Sequence, residues 1–163
     1  LLADGGALSV AGLDLAQTGI LEEVGRVLCA GSTTLPNAEL HALNIYERGG
    51  HFVHHKDTPR DRGCFGTLVV CLPIHFLGGE LILSKESTRI FDWSARHSYW
   101  GGRKPPCELN WAAFYGDVDH AVEPVTSGAR VTLRYCQELW IGICDQAASS
   151  FRSSSFVLSS RSC

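Results

Sequence analysis

The sequence predicts a mainly β domain built as two face-to-face sheets, with at least one N-terminal helix packed outside. Three observations carry this. One stretch of helical periodicity stands near the start, and from residue 38 onward it gives way to many short apolar runs. Those runs are separated by Gly, Pro and charged turns, the spacing expected of a jelly roll of the cupin kind.

The helix is expected over residues 14 to 30, where Leu15, Ile20, Val24, Val27 and Leu28 recur near helical spacing. Gly31 and Pro36 end it. Strands follow at about 38 to 46, 51 to 57, 65 to 72, 79 to 83, 88 to 92, 110 to 115, 119 to 125 and 129 to 136. Gly78-Gly79 ahead of Glu80-Leu81-Ile82-Leu83 marks a turn into a strand where a side chain would obstruct. Residues 93 to 109 mix Trp93, Tyr99 and Trp100 with basic residues and turn formers. They read as a long loop, either lining a substrate entrance or forming a surface insertion. The serine-rich residues 147 to 163 have little apolar periodicity and are expected to be a flexible tail. Residues 1 to 146 therefore form one domain, with its motifs between 38 and 136.

The chemistry begins with His55-Lys56-Asp57. On a strand, side chains at i and i+2 share a face and stand about 6 to 7 Å apart, so His55 and Asp57 can converge on one metal. His54 is excluded by parity. His51, about 13 Å away along an extended strand, is excluded by distance. A third ligand must come from elsewhere, and two histidines with one carboxylate leave metal positions open, an arrangement suited to non-haem Fe(II). Alone, His-x-Asp is a short pattern that seven histidines can supply by chance.

A second segment raises its weight. Phe114-Tyr115-Gly116-Asp117-Val118-Asp119-His120 leads through Pro124 and Gly128 to Arg130-Val131-Thr132-Leu133-Arg134. Alternation places Arg130, Thr132 and Arg134 on one face. An arginine aimed into a barrel is a costly buried charge unless an anion meets it. A dicarboxylic acid would meet it with a bidentate pair.

These stretches, with Tyr46 to Arg60, Gly66 to Pro73 and Gly78-Gly79-Glu80-Leu81, resemble the 2-oxoglutarate/Fe(II)-dependent dioxygenases, a double-stranded β-helix superfamily. Within it they are most similar to the prolyl 4-hydroxylase-like branch, particularly members with the His-x-Asp-Thr-Pro-Arg form. The resemblance covers about residues 38 to 136. It implies that His55, Asp57 and His120 hold Fe(II). It also implies that Arg130 binds the distal carboxylate of 2-oxoglutarate, with Thr132 beside it and Tyr46 as a further hydrogen-bond donor. Arg134 is the spare candidate for that role, but it lies about 13 Å further along the strand. No residue beyond the metal ligands is expected to be catalytic. The implied reaction is hydroxylation of an unactivated C–H bond with O2, releasing succinate and CO2. Asp57 favours hydroxylation, because related halogenases give its position to a halide. The chain departs from the family at Glu47-Arg48-Gly49-Gly50 after Tyr46.

Composition fits one compact domain: 163 residues, 45% hydrophobic and formally −3. The Lys and Arg residues form no long run, which disfavours nucleic acid as substrate. A peptide, a protein or a small molecule is the expected substrate. Seven cysteines include no Cys-x-x-Cys, and Cys64, Cys71 and Cys136 fall in apolar runs where a free thiol acts as a small hydrophobe. Reduced cysteines and a cytoplasmic location are therefore expected. No signal peptide or membrane span is visible, and the absence of methionine implies that the natural start lies upstream. Two other readings use the same residues: an iron-binding sensor or interaction domain of this fold, and a cupin-type metalloprotein that does not use 2-oxoglutarate. Arg130 argues against the latter.

Overall fold

The computed structural model describes residues 12 to 29, 35 to 57, 64 to 94, 108 to 138 and 156 to 162. The expected helix is two: α1 (Leu15–Thr18) and α2 (Ile20–Leu28). Asp14 caps α1 by accepting from the Ala16 N–H, and Gly19, at φ 70°, both ends α1 and opens α2. A left-handed residue at that point breaks the helical path, which the apolar periodicity alone does not reveal.

Eleven strands follow among the described residues: β1 (Asn37–Tyr46), β2 (Phe52–His55), β3 (Cys64–Cys71), β4 (Phe76–Gly78), β5 (Leu81–Ser84), β6 (Thr88–Phe91), β7 (Glu108–Tyr115), β8 (Asp119–Val122), β9 (Val125–Gly128), β10 (Arg130–Glu138) and β11 (Phe156–Ser162). They form a five-stranded sheet ordered β1-β10-β3-β7-β11, a four-stranded sheet ordered β2-β8-β5-β6, and the β4-β9 pair. Every pairing is antiparallel. The double-layered jelly roll with helices outside is therefore the observed architecture.

Four further differences from the expected elements have identifiable causes. The strand expected over 119 to 125 is split by Glu123-Pro124 into β8 and β9, since proline cannot donate to a ladder. β2 ends at His55, so Asp57 lies two residues beyond it rather than on it. The tail expected to be flexible contains β11, which pairs with β7 from Phe156↔Phe114 to Ser162↔Glu108. Its apolar start, Phe156-Val157-Leu158, is short and set among serines. Lastly, Cys64 and Cys136 are joined as a disulfide across β3 and β10, with Cα atoms 5.9 Å apart. The expectation of reduced cysteines fails for this pair, and with it the ground given for a cytoplasmic location. Strand neighbours so far apart in sequence are set by the ladder, which cysteine spacing does not encode. Cys71 is free and buried and Cys29 is buried; Cys107, Cys144 and Cys163 lie outside the described residues.

Alternation divides the large sheet into two faces. Leu68, Val70, Trp111, Ala113, Leu133 and Tyr135 point outward and pack against Leu15, Ile20, Val24 and Leu28 of the helices. The Tyr115 hydroxyl donates to the Leu28 carbonyl oxygen at 2.6 Å, tying down the end of α2. Val69, Ala112 and Phe114 point inward and meet Leu81, Leu83, Phe91 and Val122 of the second sheet. At one end Cys71, Phe76 and Val125 close the space between the sheets, with Tyr46 and Trp93 packed against them. The interior left between the sheets is the room available to a site. No helix among the described residues is long and apolar enough to cross a membrane.

Leu133 is fully buried on the interior strand β10, against the helices. Leu133→Ala should destabilise the protein by about 2 to 5 kcal/mol. Denaturant unfolding of both proteins measures this, and a loss below about 1 kcal/mol would mean that the helices do not depend on that face.

Candidate metal centre and anion pocket

His55 and Asp57 are joined by His120 from a distant part of the sequence. His55 on β2 is the register partner of His120 on β8, so their rings are neighbours, with centroids 4.1 Å apart. Asp57 reaches the pair from the chain just beyond β2. One ligand atom from each of the three lies within 4.8 Å of the others. The His55 Nε2 is 3.9 Å from Asp57 Oδ1, and the His120 Nε2 is 3.8 Å from Asp57 Oδ2.

Backbone carbonyls orient both rings. The His55 Nδ1 lies 3.0 Å from the Val53 carbonyl oxygen, and the His120 Nδ1 lies 3.2 Å from that of Val118. A proton on each Nδ1, donated to the carbonyl, leaves the Nε2 lone pairs facing Asp57, the arrangement that ligating histidines adopt. Burial pushes the His120 pKa below its ordinary value of 6.5, opposed by its backbone hydrogen bond and Asp57 and reinforced by His55 and Arg134. The ring is thus kept neutral, as a ligand must be. The His54 Nδ1 is hydrogen-bonded to Asp119 Oδ1 at 2.6 Å, and the His51 Nδ1 to the Gly49 carbonyl oxygen; neither joins the cluster.

The cluster opens into a cavity of about 470 Å³ whose lining includes Tyr46, Arg130, Thr132 and Arg134. Register sets these in rows across β1 and β10: Tyr46 opposite Arg130, Asn44 opposite Thr132, Ala42 opposite Arg134. Arg130 is 1% exposed, and its Nε and one terminal nitrogen have no hydrogen-bond partner among the described residues. Its Cζ lies 5.5 Å from the ring centroids of both Tyr46 and Trp93, a cation between two aromatic faces. Burial lowers its pKa, opposed by Cys71 and Tyr46, and burial raises the Cys71 thiol to about 11. Gly79, at φ 70°, leaves room for this side chain: a Cβ there would come within 3.0 Å of the Arg130 Cδ.

Three neighbours, Thr67, Trp93 and His41, were given no individual role by sequence reasoning, and a fourth, Arg134, only that of a spare for Arg130. Thr67 Oγ1 donates to Asp57 Oδ2 at 2.5 Å, and Arg134 donates to Asp57 Oδ1 at 3.0 Å. Alternation already placed Arg134 on the pocket face; its carboxylate partner is what the sequence does not supply. Trp93 belonged to the expected loop 93 to 109, most of which lies outside the described residues, as does Thr58-Pro59-Arg60. His41 lines the cavity because the β1–β10 register slips between Leu40 and Ala42, making His41 the extra residue of a bulge.

Fold and site together define a jelly roll with a two-histidine, one-carboxylate cluster facing a buried arginine. The fold is shared with an oxidoreductase of the 2OG-Fe(II) oxygenase family from Burkholderia pseudomallei: TM-score 0.52 at 16% identity, over 84% of this chain and 63% of that one. A Pseudomonas putida prolyl-4-hydroxylase superposes with TM-score 0.48 at 19% identity, over 77% of this chain and 64% of that one. The chain spans less than two thirds of the length of each. No protein-family model and no curated protein sequence matches it.

The direction of the His120 shift fixes a pH response. A group whose folded pKa is depressed takes up its proton in the unfolded chain first, so its contribution is intact above about pH 6.5 and is lost as pH falls below it. Metal-free protein should therefore lose stability between about pH 7 and pH 5, and His120→Gln should flatten that slope. Denaturant midpoints across the range test it; an unchanged slope in the variant would remove His120 from the cause.

Proposed function

We propose that the protein is an Fe(II)- and 2-oxoglutarate-dependent oxygenase that hydroxylates an unactivated C–H bond of a prolyl or other amino-acid side chain, or of a small molecule. The observation that carries this is Arg130: a buried, incompletely partnered guanidinium in the same cavity as the His55, Asp57 and His120 cluster. A metal site alone fits many metalloproteins. A buried cation beside it calls for a ligand that joins a metal-chelating end to an anionic end.

In this reading His55, Asp57 and His120 hold the iron, and the donor set of two imidazoles and one carboxylate suits that metal. Arg130 takes the distal carboxylate of 2-oxoglutarate through the nitrogens it leaves unpaired, with Thr132 beside it and the Tyr46 hydroxyl as a second donor. Burial raises the Tyr46 pKa, opposed by Arg130 and Arg134, so the phenol keeps its proton and donates. Iron and 2-oxoglutarate together supply oxygen activation, with succinate and CO2 released. The protein contributes position and dryness. Phe52, Val69, Leu81 and Val122 give the cavity beside the cluster an apolar lining.

Purified protein given iron, 2-oxoglutarate and a panel of peptide and amino-acid substrates should form succinate, dependent on both additives. Iron uptake without succinate on any substrate would favour a sensor or interaction domain instead. Arg130→Ala should weaken 2-oxoglutarate binding by about 3 to 5 kcal/mol, the cost of breaking a buried charged pair. Iron binding should persist. Equal 2-oxoglutarate affinity in that variant would sink the role given to Arg130.

A further inference from the structure

We infer that Arg134 is a second carboxylate-binding residue in this cavity, and that the substrate is a small acid whose carboxylate it grips. This rests on the oxygenase reading and names its substrate class.

Arg130 and Arg134 stand on the same face of β10, but their surroundings differ. Arg130 is shut in at the closed end, whereas the Arg134 side chain is 26% exposed and lies next to the metal cluster. Burial falls steadily along the rows: Thr132 is buried, Arg134 half-buried, and Glu39, opposite Cys136, is exposed. Arg134 thus sits between the metal cluster and the exposed side of the cavity, where a substrate must lie if 2-oxoglutarate occupies the Arg130 end.

Charge makes the same point. Among the described residues, Lys56, Arg130 and Arg134 face the cavity against two carboxylates, Glu39 and Asp57. Asp57 is the partner of Arg134 here, at 3.0 Å. A divalent cation on Asp57 draws on the same carboxylate and repels the guanidinium beside it. The dianion of 2-oxoglutarate and the Asp57 carboxylate together offset the two charges of the metal and the one of Arg130, so the excess positive charge stays with Arg134. An incoming carboxylate restores its balance with a bidentate, charge-assisted pair. A neutral amide of the same shape cannot.

The test uses full-length protein loaded with Mn(II) in place of iron and saturated with 2-oxoglutarate. N-acetylglycine, N-acetylproline and N-acetylleucine are compared with their primary amides by paramagnetic relaxation of the probe protons. This reads both affinity and approach to the metal. At least one acid should bind near the metal about tenfold or more tighter than its amide. Arg134→Gln should erase that preference, while Arg134→Lys, which keeps the charge but not the fork, should retain part of it. Equal binding of acids and amides, no approach of any probe to the metal, or a preference that survives Arg134→Gln would overturn the inference. Loss of 2-oxoglutarate affinity in Arg134→Gln, with acid preference unchanged, would assign the residue to the cosubstrate. Failure of the oxygenase reading shows separately, as absent 2-oxoglutarate binding before any probe is added.

Discussion

A guanidinium almost wholly removed from water is the constraint around which the interior is arranged. Transferring a charge from water into a protein interior costs several kcal/mol unless partners replace the lost hydration. Around Arg130 the replacement is incomplete. Two aromatic faces, Tyr46 and Trp93, offer their π electrons, yet two nitrogens stay unpaired. The fold keeps the residue in place regardless: β10 is held between β1 and β3, and Gly79 forgoes a side chain where one would collide with it. Several elements thus hold an arrangement that is costly without an anion.

The second organising contact is Asp57. It belongs to the chain leaving the smaller sheet, but both its oxygens are held by the larger one, Oδ1 by Arg134 on β10 and Oδ2 by Thr67 on β3. The cluster therefore bridges the two layers. This explains how Asp57 can converge with His55 although β2 ends before it. Strand parity singled out His55 and Asp57, which the structure brings together with His120, while the positioning force is this pair of hydrogen bonds from the opposite sheet. The Cys64–Cys136 bond ties β3 to β10, the two strands that supply those donors.

Much of this was legible in the sequence because it is local. Period-two alternation on β10 assigns Arg130 and Thr132 to one face and Leu133 to the other, and both assignments agree with burial. The shift from helical to short apolar runs marks the change from helices to sheets. What could not be read is nonlocal or conformational. The Gly19 break depends on a positive φ, the His41 bulge on a slipped register, and the Cys64–Cys136 bond on which strands are neighbours. Arg134 is the instructive case. Its separation from Arg130 along the strand counted against it as a cosubstrate anchor, yet that same separation is what brings it to Asp57.

The two arginines thus divide the cavity by depth, and depth sets an order of occupation. A ligand bound at Arg134 stands on the exposed side of the metal cluster, between solvent and the closed end where Arg130 lies. In the proposed reading, a ligand destined for Arg130 enters before that position fills. The buried residue therefore recruits first, by the stronger electrostatics of a desolvated site. The half-exposed one acts afterwards, on whatever molecule closes the remaining opening. In the proposed reading, one arginine at this depth would bind a dicarboxylate, and two on the same strand face, four residues apart, would give separate anchors for two acids, one on the closed side of the metal cluster and one on its exposed side.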